Sequence, residues 1–430
     1  MKKTVLLLLC VLMLVLPTVL FAGGQQEAED VVTLKWWTIN SEEYTAEVQN
    51  ALARQFEAEH PNIKVDVTVL PSSGFGQKMN TALSSGEGGP DIAFFWNTNW
   101  YPEALDLRPY IEKDNFDTSM YIDGFWKTRA LQGDRVVGLP LGVGASIVLY
   151  NKDMFDAAGV QYPKSDWTVY DYLEIAKKLR NKEKHVWGGD RPRKPFRALW
   201  FNFGAKPYSD DSMTVDGYVN GENMVDAYSW LWDLVDSDAT PTPADLDTLS
   251  SEGTGPVDLF LANRLAMATL NEGHMLNAVE SGMRFGVVPE PRVPGHDRFC
   301  NAWSLTCSIW KGSEHPEEAW EFLKYWVGPE GQRFLMNNAN FFPSISTVLD
   351  DYENADADYI QGFYEVLDME QVGVWNGTHL SGGVVARSIQ DVWDKVMLKS
   401  IDRKEIKGEL ESLVPAAQKA LDDSRDRLGN

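Results

Sequence analysis

Apolar and polar positions recur at two different periods along this chain, and the switches between them mark its elements. Residues 31–37 are rich in β-branched and aromatic side chains and predict a strand. Tyr44, Val48, Leu52 and Phe56 then recur every four residues, predicting a helix capped near Asn40 or Ser41 and stopped at His60-Pro61. Ile63, Val65, Val67 and Val69 alternate with Lys64, Asp66 and Thr68, which predicts a second strand. A glycine-containing loop and a short helix lead to a third strand over 92–96. Strand, helix, strand, helix, strand predicts an α/β fold with a mainly parallel sheet. A second set of such units follows Leu139-Pro140, with an apolar run over 146–150 and helices over 167–180 and 223–235. Two later strands are expected at 285–288 and 304–310. Pro316, Glu317 and Glu318 open a well-punctuated helix that Gly328-Pro329 closes, and helical patterns continue over 384–398 and 406–421.

The amino terminus has its own pattern. Lys2 and Lys3 precede an unbroken apolar run over 5–16, Pro17 breaks it, and Ala22 stands before Gly23-Gly24. This predicts a secretory signal peptide over 1–22, the run being too short to span a bilayer comfortably. Cys10 lies among leucines rather than small residues, so lipid anchoring is not expected and a periplasmic location is. Composition narrows the partners. Of 430 residues, 63 are Asp or Glu and 39 Lys or Arg, and a formal charge of −24 argues against nucleic acid and anionic lipid. Cys300 and Cys307 are too far apart along one strand to bridge, so a disulfide requires a turn between them; bridge and buried thiols both stay open.

Several segments, in order, resemble the extracellular solute-binding protein family 1, the maltose-binding-protein-like receptors of ATP-driven sugar importers. They are residues 56–65 around His60-Pro61-Asn62, 85–92 with Gly88-Gly89-Pro90-Asp91, 139–142, 149–155 with Ala158-Gly159, and 260–267. The resemblance implies a two-lobe periplasmic binding protein fold with a hinge between α/β lobes. One lobe would hold 31–141 plus 284–341, the other 145–280 plus 345–430, with Gly142 and Gly144 as hinge residues or as the means of a tight strand passage. It also implies a monomer that binds a mono- or oligosaccharide and delivers it to the membrane permease subunits of an ABC importer, with no cofactor, metal or nucleic acid.

Open α/β sheets bind ligands at the carboxyl ends of their strands, and those positions are rich in aromatics here. Indole faces stack on the C–H face of a pyranose while short polar side chains pair its hydroxyls. By position the candidates are Trp37, Asn40, Phe75, Gln77, Trp96, Asn97 and Trp303 on one side, with Trp200, Asn202, Glu272, Gly273, His274, Trp375 and Asn376 on the other. Glu272 would accept ligand hydroxyls or cap the following helix. Trp230, Trp232, Trp320, Trp326 and Trp393 lie within predicted helices and are expected in cores. His274 stands where the family commonly has a tryptophan.

No motif for nucleophilic, zinc or phosphate chemistry occurs, and the six histidines are scattered. The cationic stretch Arg191, Arg193, Lys194 and Arg197 reads as a solvated loop or a contact for an anionic sugar. Two alternatives remain beside the sugar receptor. A secreted glycoside hydrolase needs only two carboxyls flanking a cleft. A receptor for a polyol or glycerol-phosphate-like ligand would need Arg or Lys at the strand ends.

Overall fold

The computed structural model describes residues 31–41, 44–192, 197–249, 255–367 and 383–428; the expected signal peptide lies outside them. Three parallel neighbours begin the first sheet: β1 (Val32–Asn40), β2 (Ile63–Pro71) and β3 (Ile92–Phe94), with β1 between the other two. The helix Ala46–Glu59 makes the first crossover, its start capped by Thr45 and its Gln49, Leu52, Ala53 and Phe56 buried against the sheet. The expected glycine-containing loop is instead the start of a helix, Ser72–Ser85, because Phe75, Met79 and Ala82 bury on one face.

A short hairpin, β4 (Leu131–Gln132) with β5 (Arg135–Val136), precedes β6 (Leu139–Ala145), which runs into β7 (Ile147–Asn151) with only Ser146 between. Then come β8 (Met267–Leu270), β9 (Phe285–Val288) and β10 (Ala302–Ile309). The first sheet has the order β2-β1-β3-β10-β6, with β10 antiparallel to both neighbours, so it is mixed rather than mainly parallel. The second sheet, β8-β7-β9, is antiparallel throughout. Here the expected parallel units fail: the long helical excursion between β7 and β8 returns the chain in the opposite sense. The boundary expected at 284 also moves, since β9 pairs with β7 and the chain rejoins the first sheet only with β10.

Each sheet carries its own core. Trp36 and Phe94 on the first sheet meet Phe56, Phe322 and Trp326 from flanking helices, with Trp36 and Trp326 edge to face at 4.8 Å. On β7, Val148 and Tyr150 face one core with Tyr228, Leu231 and Trp393, whereas Ile147 and Leu149 face another with Phe260, Val287 and Phe363. A strand buried on both faces needs a continuous apolar run, which is why no alternation marks it. The helices after residue 383 pack on the second lobe, where Val385, Ile389, Val392 and Trp393 join its core. The helix expected over 384–398 is two, Gly383–Ser388 and Gln390–Met397.

Three strands of chain pass side by side between the lobes. Ser146 donates its N–H to Asn301 O (2.7 Å) and Val143 donates to Phe342 O (2.7 Å). Gly142 is left-handed (φ 62°), and a methyl there would run into the Phe341 ring; one at Gly144 would meet Trp303 and Glu272. The register of β6 against β10 slips at this point. Among the described residues no helix is long and apolar enough to cross a membrane.

Candidate ligand-binding cavity

Beside the crossing strands the second lobe encloses a cavity of about 560 Å³. Its walls come from strand ends and helix starts. Thr269 and Leu270 end β8, Asn271 and His274 begin the helix Glu272–Glu280, and Glu290 follows β9. Tyr172 comes from the helix Val169–Leu179, Trp230 from Glu222–Asp236, and Ser146, Asn301 and Trp303 from the crossing segments. Two indoles and a phenol on the walls, with carboxyl, amide and hydroxyl groups between them, can stack an apolar ring face and pair a polar rim.

The charged groups are held differently. Asp190 is buried and well supplied with donors: Thr269 donates its N–H to Oδ2 (3.0 Å) and its hydroxyl to Oδ1 (3.3 Å), and the Tyr172 hydroxyl reaches Oδ1 at 2.9 Å. Glu290 has the Ser146 hydroxyl as its stabilising partner, and burial, aided by the nearby Asp190 charge, pushes its carboxyl up to about 7. Arg191 is buried, not solvated as one expectation had it; Nε donates to Thr240 Oγ1 (3.0 Å) and Nη2 to Thr240 O (2.9 Å). Burial lowers its guanidinium to about 10. Arg193 and Lys194 lie outside the described residues.

Of the sequence candidates, Asn202, His274 and Trp303 line this cavity. Asn202 is turned to structural use as well, bracketing Phe299 by donating to its carbonyl (3.0 Å) and accepting from its N–H (2.9 Å). Trp200 is corrected: it is fully buried in the second lobe's core. Phe75 is likewise a core ring on a helix, 4.5 Å from Trp96, and not a loop residue. Glu272 stands in the first turn of its helix and also takes on a role that was not expected. Asn271 caps the helix through His274 N–H (3.0 Å), while Glu272 Oε2 accepts the Ala145 N–H of the crossing strand at 3.1 Å. A methyl at Gly273 would meet only Asn271, at 3.5 Å, so no neighbouring protein atom requires glycine there.

The remaining first-lobe candidates stand apart. Trp37, under the Lys78 ammonium at 4.1 Å, and Gln77 line a separate shallow groove of about 450 Å³. Trp96 packs on Phe75 and Trp100, Asn97 caps the following turn through Asn99 N–H (3.0 Å), and Asn40 is exposed at the end of β1. Trp375 and Asn376 lie outside the described residues. Cys300 and Cys307 are buried thiols that form no disulfide, and burial pushes the Cys300 thiol up to about 12.

Sequence reasoning missed Ser146, Tyr172, Asp190, Trp230, Thr269, Asn271, Glu290 and Asn301 as cavity residues. For Glu290 the signal was available, since it closely follows the apolar run over 285–288 that reads as a strand. For Trp230 it was not: a helix face over a cavity and a helix face over a core carry the same apolar spacing.

The sequence model of the family described as bacterial extracellular solute-binding protein matches residues 38–333. The arabinooligosaccharide-binding protein of Bacillus subtilis is 27% identical over 374 residues, covering 80% of this chain and 81% of that one. Among solved structures, an ABC substrate-binding protein of Listeria monocytogenes in complex with cycloalternan superposes with a TM-score of 0.71 at 22% identity, covering 93% of this chain and all of that one. The GacH receptor of Streptomyces glaucescens, solved unliganded and with acarbose, gives 0.70 at 21% identity over 91% and 98% of the two chains.

Proposed function

Because the chain belongs to the bacterial extracellular solute-binding proteins, we propose that it is the receptor subunit of an ATP-driven sugar importer. It takes a mono- or oligosaccharide between its lobes and hands it to the membrane permease. The observation that carries this is the cavity itself. Its volume, about 560 Å³, is that of a small-molecule site, and Trp230, Trp303 and Tyr172 alternate there with Asp190, Asn271 and Asn301. The relatives' names and bound ligands, arabino-oligosaccharide, cycloalternan and acarbose, point to carbohydrate as the class.

The family consists of binding proteins, and the protein needs no covalent step for this role. In the receptor, ligand hydroxyls donate to Asp190, amide N–H groups of Asn271 and Asn301 donate to ligand oxygens, and the indoles cover ring faces. Export through the signal peptide places it in the periplasm, where it works as a monomer.

A thermal-shift screen over mono- and oligosaccharides tests this. A cognate sugar at 100 times its Kd should stabilise the protein by about 2.7 kcal/mol. Absence of any shift across the panel would remove carbohydrate as the ligand class. Release of reducing sugar from an oligosaccharide would favour the hydrolase reading instead, since Asp190 and Glu290 offer two carboxyls in one cavity.

A further inference from the structure

The two glycines at the lobe crossing in β6 answer different demands. Gly142 has a left-handed backbone, which by itself favours glycine, whereas Gly144 does not. What excludes a side chain at Gly144 is occupied space. A methyl there would stand 2.3 Å from Trp303 Nε1, 2.4 Å from Trp303 Cε2 and 2.4 Å from Glu272 Oε1, so something would have to move. All three are side-chain atoms, and the movement would fall on the indole and the carboxylate rather than on the backbone of the crossing strands.

Register produces this crowding. Trp303 of β10 stands directly opposite Gly144 of β6, and side chains at opposed positions of an antiparallel pair share one face of the sheet. Because Gly144 brings no side chain, the Trp303 indole lies across β6. Glu272 closes on the same point from its helix, and its other carboxylate oxygen accepts the Ala145 N–H at 3.1 Å, which ties it to the same strand. Trp303 is also a wall of the cavity, as is Asn271, which caps the helix that Glu272 begins. Strand, indole and helix start therefore meet beside the ligand space.

Resting on the sugar-receptor reading, we propose that Gly144 is a positioning residue for ligand binding: the space it leaves lets the Trp303 indole lie across β6 beside Glu272, fixing that ring as the wall on which a sugar ring stacks its C–H face. Gly144 acts only through Trp303. A wall held in place before the ligand arrives spares the cost of ordering it on binding. It also selects among sugars, because a hydroxyl projecting from the stacked face would lose water without gaining a partner there.

The test is calorimetric titration of the wild type, G144A, W303A and the double variant with maltotriose, mannobiose and arabinotriose, with fluorine NMR of the same chains carrying 5-fluorotryptophan. G144A should move the Trp303 resonance, identified by its loss in W303A, before any sugar is added. It should bind the preferred sugar about tenfold more weakly than the wild type. In the W303A background the same glycine change should alter affinity by less than about twofold, because the ring it positions is gone. Three results overturn the proposal: a Trp303 resonance that G144A leaves in place, wild-type affinity in G144A, or an equal loss in both backgrounds, which would mean that the methyl acts on Glu272 or on the strand. If G144A alone does not fold, the double variant should, since no indole competes for the space; a double variant that also fails to fold overturns the proposal. Failure of all three sugars to bind the wild type would remove the carbohydrate reading, and this proposal with it. A bound sugar with no coupling between the two substitutions removes the proposal alone.

Discussion

A carboxyl whose proton is held by burial links the cavity to stability. Glu290 rises from its ordinary 4.5 to about 7 in the folded protein, so between those values the folded state binds more protons than the unfolded one. Its neutral form is tolerated below pH 4.5, and stability is lost as pH rises through 7, where the buried charge must be carried. E290Q should therefore match the wild type near pH 4.5 and exceed it above pH 7 by on the order of 2 to 3 kcal/mol. Denaturant unfolding at the two pH values measures this, and a difference that does not change with pH would contradict it. The tryptophans divide on other grounds. Trp320 is buried in the first lobe's core with its indole N–H on Asp114 (2.8 Å), whereas Trp303 is half-buried at the cavity wall. Trp320→Ala should cost about 3 to 5 kcal/mol of stability, and Trp303→Ala should weaken sugar binding by about 1 to 3 kcal/mol with a smaller loss of melting temperature. Of these two roles the sequence carried good hints, because Trp303 precedes a strand and Trp320 lies on a helix with seven buried positions. Trp230 obeys the helix rule and still lines the cavity, since spacing reports which face is covered and not what covers it.

Elements were legible where one face meets solvent. The alternation of β2 and the four-residue spacing of the helix Ala46–Glu59 are visible in the chain because their outer faces are polar. The direction of β8 and β9 was not, as their residues are nearly all buried and orientation depends on where a long helical connection returns. The helix Ser72–Ser85 was hidden by Gly74 and Gly76, although Phe75, Met79 and Ala82 already had helical spacing. Crossing strand β6 shows what sequence could suggest only as two options. Gly142 is left-handed and pressed against Phe341, so Gly142→Ala combines backbone strain with a clash and should destabilise by roughly 1 to 3 kcal/mol. Glu272 secures the same strand through Ala145 N–H. Glu272→Ala should cost about 1 to 2 kcal/mol, while Glu272→Gln, whose amide oxygen still accepts, should lose less. Urea unfolding of the pair checks this, and equal losses would mean that charge rather than the hydrogen bond holds the strand.

At the scale of the whole molecule the cavity is lopsided. Its walls belong to the second lobe and the crossing segments, while Trp37 and Trp96 on the first lobe lie outside it. A ligand held only there would leave the first lobe idle, yet the lobes are joined by three adjacent chain passages with a left-handed glycine and a register slip in β6 beside the bound Ser146-Asn301 pair. A few such residues can absorb the backbone rotation of a hinge without disturbing either core. Closure would bring the first lobe's strand ends toward a sugar already seated against Trp303 and Trp230, and would exclude water from the Asp190 and Glu290 pair. Small-angle scattering at saturating sugar should then give a smaller radius of gyration than the free protein. The measurement belongs at about 0.15 M salt, where screening over about 8 Å limits repulsion within a chain of charge −24. An unchanged profile, with calorimetry proving saturation, would confine recognition to the second lobe. In that case the crossing glycines serve only the close passage of Phe341 and Trp303.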